Sequence, residues 1–288
     1  MTRISRVEVV ANIASGSVND DAPEDAAKIF ADFGVQAHVC APETQDLEAC
    51  LRRAVDAAPD LLVVIAGDGT ARAAAEMCGP QGPMIAPLPG GTMNMLPHAI
   101  YGPRSWQDAL TIALHQGGER MLGGGEVEGH KFLVAAILGS PALWAPAREA
   151  ARYGNKKLAF IRARRAMRRA FSGRLRYNLD AGPREKAEAL VFMCPVTSRA
   201  LAEEEQALEA AALDIKGARD AFELGFHALK GDWRDAPAVE TQRCQVARIW
   251  AAQGVPAILD GESVQLKSLA EVVYKPDLVR VLAIPKDV

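Results

Sequence analysis

The chain has 288 residues, enough for one large domain or two ordinary ones, and 49% of them are hydrophobic and 24% charged, which excludes a disordered chain. A formal net charge of −3 gives the whole molecule no field that would draw in nucleic acid. Five widely spaced cysteines, Cys40, Cys50, Cys78, Cys194 and Cys244, with no CxxC among them, argue against a disulfide framework or a structural zinc site and fit a reducing compartment.

Residues 7–13 form a short valine-rich run ended by Ser15 and Gly16, and read as a buried first strand. Residues 22–33 have helical spacing, with Ala26, Ile29, Phe30 and Phe33 on one face and Gly34 as the stop. A second strand is expected over 35–39 and a second helix over 47–57. The run LLVVIA at 61–66 is the strongest strand signal, and it leads through Gly67, Asp68, Gly69 and Thr70 into an alanine-rich helix over 71–78. Another short strand, 84–88, runs into Pro89, Gly90, Gly91 and Thr92. Strands alternating with helices predict a parallel sheet covered on both faces.

The pattern changes after the glycine-rich stretch 120–125. Two strands are expected around Gly129 and His130, then a long basic helical region over 141–171. Further strands at 174–180, 189–194, 208–215, 242–251 and 263–266 predict an antiparallel, β-rich second domain. A last apolar strand, 279–284, is free to return to either domain.

Four motifs carry chemistry. AGDGT, residues 66–70, lies between a buried strand and a helix, where glycine backbone and a helix N-terminus suit a phosphate; a plain turn capped by Asp68 is the competing reading. LPGGTMN, residues 88–94, is a second glycine pair followed by Thr92 and Asn94, and alone it reads equally as a tight turn. Asn12 and Ser15 follow the first strand. In a parallel sheet these loops all emerge at the carboxyl edge, where such folds bind ligands. LDGE, residues 259–262, puts Asp260 and Glu262 about a probable hairpin turn.

AGDGT, LPGGTMN and LDGE, in this order and at these separations, resemble the diacylglycerol kinase catalytic-domain family, which includes sphingosine and ceramide kinases and bacterial lipid kinases. The resemblance covers essentially the whole chain and implies a doubly wound α/β nucleotide domain over residues 1–122, rejoined by 276–288. A β-sandwich lipid domain over 123–275 would follow, with the active site in the cleft between the two. It implies ATP held by Asn12, Ser15, Gly16, Cys40, Gly67, Asp68, Gly69, Thr70, Arg72, Gly91, Thr92 and Asn94. Asp68 would act through Mg²⁺ carried by the ATP, and Glu262 would be the general base, with Asp260 beside it. The acceptor would be diacylglycerol, ceramide or a sphingoid base. The chain departs from the family pattern at Ala73 and Met95, where acidic residues are usual, and at glycines 123–125; an unusual substrate or a weakened activity follows from these changes.

Residues 148–176 gather eleven Lys and Arg around the single acid Glu149. Arg162, Arg165 and Arg169, with Arg168 beside them, line a face away from Phe160, Met167 and Phe171, as in a helix lying on an anionic membrane; a solvated face of a packed helix is the alternative. No apolar run reaches the roughly 18 residues of a membrane span, and the N-terminus does not read as a signal peptide, so the chain is expected in the cytoplasm, peripheral to the inner face of the membrane. Two other functions stay open. One is a soluble-substrate kinase of the NAD kinase type, which shares a GDGT-like loop. The other is a nucleotide-binding regulator with little catalysis.

Overall fold

The computed structural model describes residues 4–16, 18–42, 46–139, 175–198, 200–202, 205–213 and 239–285. The basic segment with Arg162, Arg165, Arg168 and Arg169 lies outside the described residues, as do the helical region expected over 141–171, Trp144, Trp233 and His227. The chain divides into two compact units, Met1–Gly123 with Pro276–Val288, and Gly124–Lys275.

The first unit runs β1 (Val7–Ala11), α1 (Ala22–Asp32), β2 (Ala37–Cys40), α2 (Leu47–Asp56), β3 (Leu61–Ala66), α3 (Asp68–Cys78), β4 (Met84–Pro89), α4 (Met95–Tyr101) and α5 (Trp106–Gln116). The strands are parallel in the order β2-β1-β3-β4. Helices α1 and α5 pack together, and α2 and α3 pack together, giving the sheet its two covers. All six residues of β3 are buried, as a central strand between two helix layers requires. The order reverses between β1 and β3, so their carboxyl ends diverge and leave a crevice. Ser105 caps α5, its Oγ accepting from the Asp108 N–H at 3.1 Å.

The glycine-rich stretch where the pattern changes is strand β5 (Gly118–Val127), and the division between the units falls within it, after Gly123. Gly125 is needed there because a side chain would collide with the Phe132 ring. The chain returns along β16 (Leu269–Ala283), whose Val281 pairs in parallel with Ile85 of β4. The buried Tyr101 hydroxyl donates to the Leu282 carbonyl at 2.6 Å and fixes that returning strand against α4.

The second unit continues with β6 (His130–Phe132), β7 (Ala135–Gly139), β8 (Leu175–Leu179), β9 (Glu185–Ala187), β10 (Ala189–Met193), β11 (Leu208–Leu213), β12 (Val239–Cys244), β13 (Val246–Trp250), β14 (Val255–Leu259) and β15 (Glu262–Leu266). One antiparallel sheet is ordered β12-β11-β10-β7-β14-β15. The first half of β16 with β13, β8 and β9 forms the facing layer. Phe192, Leu208 and Leu259 from one sheet and Tyr177, Ile249 and Val272 from the other share one buried core, so the unit is a β-sandwich. The single strand expected over 242–251 is two, β12 and β13, parted at Gln245, where the Asp180 carboxylate accepts from the N–H groups of Gln245 and Val246 at 2.9 Å each.

Cys40 on β2 and Cys50 on α2 bring their sulfurs beside each other. Cys78, Cys194 and Cys244 are buried free thiols, and burial pushes Cys78 and Cys244 up to about 12.

The entry into the sheet is held by Asp60. Its Oδ2 accepts from the N–H groups of Arg6 and Ser5 at 2.9 Å each and from the Ser5 hydroxyl at 2.8 Å. These bonds, led by the Arg6 amide, lower the carboxyl from 3.8 to about 2. A depressed carboxylate contributes stability above its unfolded value and loses it as pH falls through the folded one. The stability difference between wild type and Asp60→Asn should therefore be full above pH 4 and disappear as pH falls from 3.8 to about 2, read by urea unfolding at each pH.

Candidate functional site

Three loops leave the carboxyl edge of the first unit's sheet from the adjacent strands β1, β3 and β4. The first begins at Asn12, whose N–H donates to the Ile65 carbonyl at 2.9 Å and whose Oδ1 accepts from the Ala14 N–H at 3.2 Å. This holds Asn12 against the end of β3 and turns the chain toward Ser15 and Gly16.

The second is shorter than its sequence suggests. Gly67 is the cap, and Asp68, Gly69 and Thr70 form the first turn of α3 rather than a free loop. No side chain caps that turn, so its N–H groups and the positive end of the helix face the edge. The third loop, Gly90–Asn94, is folded on its own amide. Asn94 has φ 49° and is buried; its Oδ1 accepts from the Gly90 and Gly91 N–H groups at 3.1 and 2.7 Å, and its Nδ2 donates to the Gly91 carbonyl at 2.9 Å. Asparagine is among the few side chains that tolerate that left-handed backbone.

The loops touch one another. A Cβ on Gly91 would stand 2.6 Å from the Gly67 Cα, so the two backbones approach closer than any side chain allows. The Gly90 N–H donates to the Ala66 carbonyl at 3.0 Å. A Cβ on Gly67 would lie 3.8 Å from the Ser15 Oγ, and one on Gly16 would lie 3.6 Å from the Thr92 Oγ1. Asp68 closes the group: its Oδ2 accepts from the Met95 N–H at 3.2 Å and its Oδ1 from the Leu96 N–H at 3.1 Å. Asp68 thus caps α4, a different helix from its own, and its charge sits where the α4 dipole favours an anion.

Of the expected nucleotide residues, Asn12, Ser15, Gly16, Gly67, Asp68, Gly69, Thr70, Gly91, Thr92 and Asn94 come together at this edge. Arg72 is buried on α3 and its Nη1 pairs with Glu76 Oε1 at 2.7 Å. Cys40 reaches the same edge at the end of β2, beside Val10, with its sulfur next to that of Cys50. Helix α4 was not anticipated from the sequence. Its signal is the left-handed-tolerant Asn94 before an apolar run (Met95, Leu96, Ile100, Tyr101) stopped by Gly102, whose φ is 74°.

The LDGE motif belongs to the second unit. Leu259 pairs with Glu262, and Asp260 and Gly261 make a two-residue hairpin with φ of 47° and 90°. The two acids have opposite environments. Asp260 is buried, its Oδ2 accepting from the Leu133 N–H at 2.7 Å and its Oδ1 from the Val134 and Ala135 N–H groups at 2.9 Å each. It ties the hairpin to the bend between β6 and β7. Glu262 is exposed on the first residue of β15. Any carboxylate chemistry at this hairpin accordingly falls to Glu262.

Asp68 has taken up one lone pair on each oxygen, which leaves each oxygen able to accept a further donor such as a metal-bound water. The described residues contain no cluster of three His, Cys, Asp or Glu side chains able to hold a metal by themselves. No helix among the described residues is long and apolar enough to cross a membrane.

Residues 6–123 match the diacylglycerol kinase catalytic domain family. No curated protein matches the chain by sequence. Among solved structures, a candidate diacylglycerol kinase from Bacillus anthracis str. Sterne superposes with a TM-score of 0.76 at 17% identity, over 100% of this chain and 98% of that one. A second structure from that organism, described as a diacylglycerol kinase, has a TM-score of 0.71 at 13% identity, with both chains covered completely (100%). An NAD kinase from Archaeoglobus fulgidus in complex with ATP follows at 0.58 and 11% identity, over 98% of this chain and 94% of that one. These likenesses show a shared fold, and over residues 6–123 the chain is similar in sequence to the diacylglycerol kinase catalytic domain.

Proposed function

We propose that the protein is an ATP-dependent lipid kinase that transfers the γ-phosphoryl group to a hydroxyl of diacylglycerol, ceramide or a sphingoid base at the inner face of a membrane. The observation that carries the reading is the three-loop edge, where an uncapped helix start and a glycine-to-glycine contact leave room and donors for a polyphosphate. In this reading the backbone of Gly67–Thr70 holds the phosphates, with Ser15, Thr92 and Asn12 around them. Asp68 would help hold the Mg²⁺ that comes with ATP, and that ion would supply positive charge to the phosphoryl oxygens. Glu262 takes the proton of the lipid hydroxyl and aims its oxygen at the terminal phosphorus. Asp260 does not touch the reacting atoms; it positions Glu262 by fixing the hairpin. The acidic residues replaced by Ala73 and Met95 bear on the acceptor, which is the reason for keeping ceramide and sphingoid bases beside diacylglycerol.

The fold shared with an NAD kinase supports a second reading, a kinase for a water-soluble acceptor. The LPGGTMN loop and the late LDGE favour the lipid branch. Purified protein mixed with Mg-ATP and a total lipid extract should yield phosphorylated lipid by mass spectrometry. Turnover with NAD or other soluble acceptors alone sinks the lipid reading, and nucleotide binding with no turnover points to a regulator.

Three variants report on separate parts. Glu262→Gln should lower kcat by about 10²–10⁴-fold while leaving the KM for ATP nearly unchanged, the loss expected of a general base. Gly91→Ala should do the reverse in binding, weakening ATP at least tenfold, because its Cβ would sit 2.6 Å from the Gly67 Cα. Asp260→Ala leaves three buried N–H groups without their acceptor and should destabilise the second unit by about 3 kcal/mol or more in thermal unfolding, with Asp260→Asn intermediate.

A further inference from the structure

The outward face of the second unit's β16-β13-β8-β9 layer carries a pattern that the three-loop edge and the hairpin do not use. Alternation along each strand sets one face inward, with Tyr177, Ala187, Ile249 and Ala270 in the core, and the other face outward. The register then aligns outward residues in a row across four strands: Leu269 opposite Trp250, Trp250 opposite Arg176, Arg176 opposite Lys186. Leu269 is 55% exposed, among the most open large apolar side chains described. Arg176 and Lys186 are exposed, and Arg184 lies with its guanidinium 5.0 Å over the Trp250 ring. Among the described residues of this face, the acid Glu271 is engaged by Arg248 at 2.7 Å, and Glu126 lies 4.0 Å from Lys275. Among the described residues no acid pairs with Arg176, Arg184 or Lys186.

We propose that this sheet face is a docking surface for an anionic phospholipid bilayer, with Leu269 and Trp250 entering the headgroup boundary and Arg176, Arg184 and Lys186 meeting lipid phosphates. The inference deepens the lipid-kinase reading and rests on it for its purpose, since a kinase whose acceptor lies in a bilayer must approach that bilayer. The chemistry selects this partner over others. A row of three cations is complementary to an anionic surface, and each Lys or Arg near such a surface contributes about 1 kcal/mol. An exposed leucine beside a half-buried tryptophan adds an apolar contact of the kind interfacial residues make. Nucleic acid has no use for Leu269, and the Trp250 ring is already covered by Arg184 on the face that would stack a base.

The test uses the full chain without nucleotide. Co-sedimentation with phosphatidylglycerol–phosphatidylcholine vesicles should show binding that is absent with phosphatidylcholine alone and weakened by raising NaCl. Arg176→Gln/Arg184→Gln/Lys186→Gln should lower affinity about a hundredfold, the equivalent of roughly 1 kcal/mol per cation. Leu269→Gln should lower it severalfold while leaving the salt dependence intact. Both variants should keep the wild-type melting temperature and the wild-type rate on diacylglycerol dispersed in detergent, which separates docking from catalysis. The proposal is overturned if the wild type ignores anionic vesicles or if the triple variant binds them like wild type. It is equally overturned if the triple variant loses single-stranded DNA and vesicles alike while Leu269→Gln changes neither. Should every lipid fail as acceptor while vesicle binding and its loss in the variants persist, the kinase reading fails and the docking surface stands.

Discussion

The bond from the Asp68 carboxylate to the amides of Met95 and Leu96 governs the first unit's binding edge. It ties the turn after β3 to the helix after β4, and it does so with a charge placed at a helix start, where the dipole repays it. With that helix start filled, the start of α3 at Gly67 keeps its N–H groups without a side-chain cap. The Gly67–Gly91 contact then keeps the two turns at backbone distance. Asn94, with its three bonds to the Gly90–Gly91 backbone, makes the third loop rigid before any ligand arrives.

The hairpin in the second unit follows the same economy with opposite outcome. Two carboxylates sit two residues apart, yet the fold buries one among three amide donors and leaves the other in solvent. Asp260 commits both its oxygens to three backbone N–H groups and is structural for that reason. Glu262 lies exposed at the start of β15.

Much of this was readable in the sequence, and the failures have physical causes. LLVVIA could be little other than a central strand, and its bounds hold to the residue. The loops followed from strand–glycine–helix order. Helix α3 starts at Asp68 rather than Ala71, because glycine and threonine are poor helix interiors but acceptable in a first turn whose N–H groups need no intrahelical partner. The glycines of β5 mark the division between the units as expected, but composition cannot show that a strand runs through them with the Phe132 ring against Gly125. The interruption at Gln245 depends on Asp180, 65 residues away, and no local pattern carries that. Asp260 and Glu262 look alike in a DG turn; only the β6–β7 bend, which is remote in sequence, tells them apart.

The return of β16 has a consequence for biogenesis. The first unit's strand β4 obtains its neighbour only when Val281 is in place, after all of the sandwich has been made. Until then β4 presents an open row of backbone donors and acceptors, a template for pairing with another chain. On the ribosome the first unit therefore stays incomplete until Val281 emerges, and chains halted before it would be the ones prone to aggregate.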